Sequence, residues 1–137
     1  MNKNDHDLQV KVTSAMYALI KDKGFASPVD VLISAGVLSK TDYENWRNGR
    51  VDYLERVCNV NLRKLSLINH EIRVYANKHN LKPSWTDYRK WGKGENTRLR
   101  FSKSGDEQIE RLYATHYISQ QRVGDADEQK NTKSGNI

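Results

Sequence analysis

Apolar residues recur at helical spacing over most of this chain. In residues 8–22, Leu8, Val12, Ala15, Met16, Leu19 and Ile20 form one stripe, the mark of an amphipathic helix with a single buried face. Asp7 is placed to cap its start and Gly24 to stop it. Ser27-Pro28 opens a second helix, which runs to about Ala35 and ends at Gly36. Ser39 caps a third over about 40–48, and Asp52 caps one further turn carrying Tyr53, Leu54 and Val57. Asn61 caps the longest helix, about 62–79. Its first stripe is Leu65, Ile68, Ile72, Tyr75, Ala76 and His79. Leu67, Val74 and Leu81 make a second, so this helix is expected at the centre, packed on two sides.

Lys82-Pro83 ends that helix, because the residue before proline avoids the helical region. Ser84 is read as opening a short helix over WTDYRKW, with Gly92-Lys93-Gly94 breaking the pattern. Residues 97–102 (TRLRFS) alternate enough for a short strand, and 103–105 form a turn. Asp106 caps a last helix, 107–118, striped by Ile109, Leu112, Tyr113, His116 and Tyr117. The expected fold class is mainly α: a compact bundle of five to six helices around the 62–79 helix, with room for a minor β-hairpin near 97–105. One domain spans 1–119, and 120–137 form a polar tail that does not fold alone.

Composition changes this picture little. The chain has 137 residues, 36% of them hydrophobic, enough for a soluble domain with its own core and without a membrane span. A single cysteine, Cys58, cannot close an internal disulfide, and its apolar neighbours Val57 and Val60 mark it as a packing residue. The first residues, MNKNDHD, contain no apolar run and no lipidation pattern, so a cytoplasmic location is expected.

Charge is more informative. There are 23 Lys+Arg against 17 Asp+Glu, a net charge of +6. Residues 81–105 hold seven of the bases and only two of the acids. The same stretch holds Trp85, Tyr88, Trp91 and Phe101. Cations attract the phosphate backbone and exposed aromatic faces stack on unpaired bases, so Arg89, Lys90, Lys93, Arg98, Arg100 and Lys103 are the candidate nucleic-acid-binding residues. Backbone N–H groups of the glycine-flanked loop can add phosphate contacts. The i, i+3, i+6 spacing of Trp85, Tyr88 and Trp91 also suits packing, and Trp85 and Trp91 are expected mainly in the core.

Other chemistry is thin. His70-Glu71 starts like a zinc-protease motif, but Val74 stands where the second His must be. His6, His70, His79 and His116 lack metal-ligand spacing, so no metal and no cofactor are expected. His79 and His116 fall on apolar stripes and are expected to pack. No phosphate-binding Walker loop, nucleophile elbow or kinase set occurs. Residues 28–48 test as a helix-turn-helix, but Asp42 and Glu44 on the second helix repel phosphate, so an ordinary helical hairpin is expected. A small metal-independent ribonuclease built from Glu110, Arg111, His116 and the basic loop is the one enzymatic alternative.

Several words occur in order: Trp46-Arg47-Asn48-Gly49-Arg50 with Tyr53-Leu54-Glu55-Arg56, Leu81-Lys82-Pro83-Ser84-Trp85, Trp91-Gly92-Lys93-Gly94, Leu99 to Asp106 (LRFSKSGD), and Thr115-His116-Tyr117. Over residues 28–118 the chain resembles a set of short uncharacterised bacterial proteins. The resemblance implies a bacterial accessory or mobile-element gene and brings no activity with it. The leading expectation is a non-enzymatic module that binds nucleic acid or another polyanion through residues 82–103. A protein-interaction module, docking through Trp and Tyr surfaces, is the alternative; the ribonuclease is third.

Overall fold

A computed structural model describes residues 2–120. The elements run α1 (Lys3–Lys23), β1 (Phe25–Ala26), α2 (Pro28–Ser34), α3 (Lys40–Arg47), a 3-10 turn (Leu54–Val57), α4 (Leu62–Lys78), β2 (Lys82–Trp85), α5 (Glu107–Ala114) and β3 (Thr115–Ile118). The fold is mainly helical with a small antiparallel sheet, ordered β1-β3-β2. Phe25 pairs with Ile118, and Lys82 to Trp85 pair with Ile118 to Thr115. Every helix contributes to one hydrophobic cluster. The expected tail lies, apart from Gln120, outside the described residues.

Side-chain oxygens cap the helix starts where the sequence marks them. Ser27 accepts from the Asp30 N–H at 3.1 Å, Ser39 from Asp42 at 3.0 Å, Asn61 from Lys64 at 2.9 Å, and Asp106 from Gln108 and Ile109 at 3.0 and 3.1 Å. Each fills an N–H that the first turn of a helix leaves unpaired. The Asp52 cap does not form; Tyr53 precedes the 3-10 turn without a side-chain cap.

Four expectations are corrected. First, α1 is capped by Asn2, not Asp7, and at 21 residues it is longer than α4, at 17. Residues 3–7 are polar and show no stripe, yet Asp5 is buried, held by Arg63 of α4 through bonds of 2.8 and 3.0 Å. The Asn2 side chain caps that turn, accepting from the Asp5 N–H at 2.8 Å, and the ion pair keeps the Asp5 carboxyl below the usual carboxylate range.

Second, α4 buries one face only. Leu65, Ile68, Ile72 and Ala76 are inside, whereas Val74 is exposed and Leu67 half-buried. Leu81 is buried but lies beyond the helix, leading into β2.

Third, residues 85–91 are not helical. Pro83 and Ser84 are extended and pair with β3, and residues 86–90 form no helix. The Leu99 N–H donates to the Tyr88 carbonyl and the Lys90 N–H to the Thr97 carbonyl, each at 2.8 Å, about a single Arg89–Arg98 bridge. Gly92 and Gly94 close the bend at φ of 92° and 98°, where glycine has no Cβ to clash. The minor hairpin therefore spans 88–99, not 97–105. Of its aromatics Tyr88 is buried, while Trp85 and Trp91 are 52% and 42% exposed, against the core expectation.

Fourth, the last helix stops at Ala114. Residues 115–118 become the central strand, because β1 and β2 offer backbone partners on both sides and Thr, Tyr and Ile suit a pleated surface.

The α2–α3 pair is a helical hairpin whose second helix is covered. Trp46 of α3 is fully buried against Tyr88 and Phe101, at centroid distances of 5.6 and 5.2 Å. Its indole N–H donates to the Arg100 carbonyl at 2.8 Å, so segment 88–101 packs on α3.

Candidate anion-binding groove

Segments 85–88 and 98–101 and helix α5 enclose a groove of about 670 Å³. Both alternating sets of the hairpin contribute to its lining, Asp87 and Arg98 as well as Tyr88 and Leu99. Tyr88 and Leu99 turn into the core, while Asp87, Arg89 and Arg98 turn outward. Arg98 lies over the Trp85 ring, its guanidinium carbon 5.2 Å from the centroid, and its Nε is 3.0 Å from Asp87 Oδ1. Arg89 donates to Asp87 Oδ2 from two nitrogens, at 3.1 and 2.8 Å, and to the Asn96 carbonyl at 3.2 Å. One carboxylate thus gathers two guanidiniums beside an exposed indole.

The opposite wall is Glu107, Glu110 and Arg111 of α5. Glu110 accepts from the Phe101 N–H (3.0 Å), the Ser102 N–H (2.7 Å) and the Ser102 hydroxyl (2.5 Å), which pins the incoming loop to the helix. Arg100 also lines the groove. It donates to the Ser102 carbonyl at 2.8 Å and to the Lys103 carbonyl, with its guanidinium 5.6 Å from the Tyr53 ring. The lining holds three bases (Arg98, Arg100, Arg111) and three acids (Asp87, Glu107, Glu110). The lining charges balance, and Arg89, paired with Asp87 behind the wall, adds one positive charge in excess.

The six sequence candidates are not all brought together. Arg98 and Arg100 line the groove, and Arg89 joins them through Asp87. Lys90 turns the other way: its stem lies so close over Gly49 that a Cβ there would sit 2.9 Å from Lys90 Cε. Lys93 is exposed in the Gly92–Gly94 bend. Lys103 lines a second groove, about 610 Å³, between α4 and α5 with Arg73, Leu62 and Leu112.

Sequence reasoning missed Arg111 as a binding candidate, since it lies in an acidic stretch. Its signal is positional, one turn beyond Glu107 on the exposed side of α5. It also missed Arg47, whose guanidinium lies between Tyr88 and Trp91, 5.1 and 4.8 Å from their centroids.

The candidate nuclease residues are divided. Glu110 and Arg111 line the groove, and His116 does not. His116 stacks on Phe25 at 5.7 Å, and its Nε2 lies 3.1 Å from the Tyr88 hydroxyl. Burial lowers the His116 pKa, against a smaller upward pull from Asp30. His79 is exposed and stacks on Tyr75 at 4.1 Å. Cys58 is half-buried, its thiol pushed up to about 12, by burial first and then by Glu55 and Asp42. Among the described residues no cluster of three or more His, Cys, Asp or Glu could hold a metal ion.

Set against protein-family models, curated proteins and solved structures, the chain matches none. The groove must therefore be read from its own chemistry. None of the described helices is long and apolar enough to cross a membrane.

Proposed function

We propose that this protein binds nucleic acid, or a polyanion of the same phosphate chemistry, along the groove between the hairpin and α5. The observation that carries the reading is the exposed Trp85–Arg98 pair at that groove. Large apolar rings left in solvent beside cations are typical of binding surfaces. Arg98, Arg100 and Arg111 supply the phosphate contacts, and Arg89 adds charge behind them. Arg98 is 60% exposed at its side chain, so solvent screens its ion pair with Asp87.

Salt titration tests this. Phosphate contacts release counterions, so the logarithm of the affinity falls linearly with the logarithm of salt, by about 0.7 per contact on single strands and about 0.9 on duplex. Replacing Arg98 and Arg111 together with Ala should flatten the slope by about 1–2. Arg100 is unsuitable for this test, because it also holds the 102–103 backbone. The Lys3 and Lys11 double variant, on α1, should leave the slope nearly unchanged. Equal losses from both pairs mean diffuse attraction without a site. Absence of binding at low salt removes nucleic acid and returns the exposed aromatics to a protein partner.

A further inference from the structure

Phosphate binding alone does not require Trp85. A tryptophan normally buries most of its ring, yet this one ends the edge strand β2 with half its surface in solvent. It stands in a concave groove, with the Arg98 guanidinium over one face of its ring, 5.2 Å from the centroid.

We propose that the groove takes single-stranded rather than duplex nucleic acid, with one unpaired base stacked on the Trp85 indole. This rests on the phosphate-binding reading and adds the class of strand. A duplex offers phosphates on its outside but keeps its base faces stacked on one another, so it has nothing to lay on an indole. An unpaired nucleotide offers both a π-face and a phosphate a few ångströms apart. Arg98 covers one face of the Trp85 ring, so an incoming base takes that place and the displaced guanidinium meets its phosphate, with Arg111 on the far wall for a neighbouring one. The concavity favours the same choice: a groove of about 670 Å³ admits a base turned out of a flexible strand, whereas a rigid duplex meets only its rim. Stacking tolerates every base, so little sequence preference is expected.

The test uses the full chain and three labelled probes with equal numbers of phosphates: a single strand of about twelve nucleotides, a duplex hairpin, and an abasic single strand. Affinity is read by fluorescence anisotropy at low and moderate salt, for wild type, Trp85→Ala and Trp85→Phe, with thermal melts confirming that each variant is folded. The single strand should bind at least about tenfold tighter than the duplex. Trp85→Ala should weaken single-strand binding by roughly 5- to 150-fold, the value of one stacked base. Trp85→Phe should retain most of the affinity, and the abasic strand should bind wild type and Trp85→Ala alike. Equal affinity for single strand and duplex, with no effect of Trp85→Ala, overturns the stacking inference and leaves the phosphate reading standing. Loss of binding to all three probes at low salt overturns both.

Discussion

Trp46 links the core to the groove. Its ring is closed off from solvent, and its one polar atom donates to the carbonyl of Arg100, in the segment that forms a groove wall. Trp46→Phe keeps most of the apolar volume and removes one of two donors to that carbonyl, which still accepts from the Leu54 N–H at 3.1 Å, at a cost of about 0.5–1.5 kcal/mol. Trp46→Ala also empties a site among Tyr88 and Phe101 and should cost about 3–5 kcal/mol. Chemical denaturation of the two variants checks the order, and an equal, small loss from both would show that the indole neither bonds nor packs as described. Tyr88 is held from the same side. Burial pushes its hydroxyl pKa up to about 12, with smaller opposing effects from neighbours that include Ser27 and Arg47. That hydroxyl remains neutral and available to His116 across the physiological range. Trp46 was legible as an aromatic but not as core, because its helix is short and flanked by Asp42, Glu44 and Arg47.

At the scale of elements, α4 distinguishes a real stripe from a numerical one. Ile68 is 1% exposed and Val74 is 44% exposed on the same helix. Ile68→Ala should cost about 2–5 kcal/mol, and Val74→Ala should change stability by no more than about 0.5 kcal/mol. Urea unfolding of both, with unchanged m-values, is the measurement; a large loss at Val74 would mean that a second face of α4 is packed. The two-sided reading arose because Leu67, Val74 and Leu81 share a spacing of seven, but Leu81 belongs to the approach to β2. The hairpin failed similarly. Trp85, Tyr88 and Trp91 share a helical period, yet residues 88 and 90 pair with 99 and 97 across a bend made by two glycines. Local period cannot register a partner that lies beyond the bend.

For the whole molecule, the aromatic contacts form a continuous path. It runs from Trp91 through Tyr43, Trp46 and Tyr88 to His116 and Phe25, which joins the groove side to the sheet. His116 gives this path a pH dependence. Burial depresses its pKa in the folded state, so the unfolded chain binds the proton more readily. The stability contributed by neutral His116 is complete above the unfolded value, about 6.5, and is lost as pH falls through the lower folded value. Wild type should therefore be less resistant to urea at pH 5.5 than at pH 7.5, and His116→Phe should show a smaller difference between the two. An unchanged difference would assign the effect to other groups. Such coupling follows from assembly, and that is where sequence and tertiary structure divide. Local spacing was enough for the helical class, the caps at Ser27, Ser39, Asn61 and Asp106, the buried stripe from Leu65 to Ile72 and the clustering of cations in 81–105, since each depends on neighbours within a turn or two. Long-range contacts make 115–118 a strand, bury Asp5 against Arg63, and leave Trp85 in solvent while Trp46 is buried. They also decide which cations share a groove: Arg98, Arg100 and Arg111 meet there, while Lys90 and Lys103 lie elsewhere. Those outcomes depend on backbone pairing and charge contacts between residues far apart in the chain, and no local spacing carries that information.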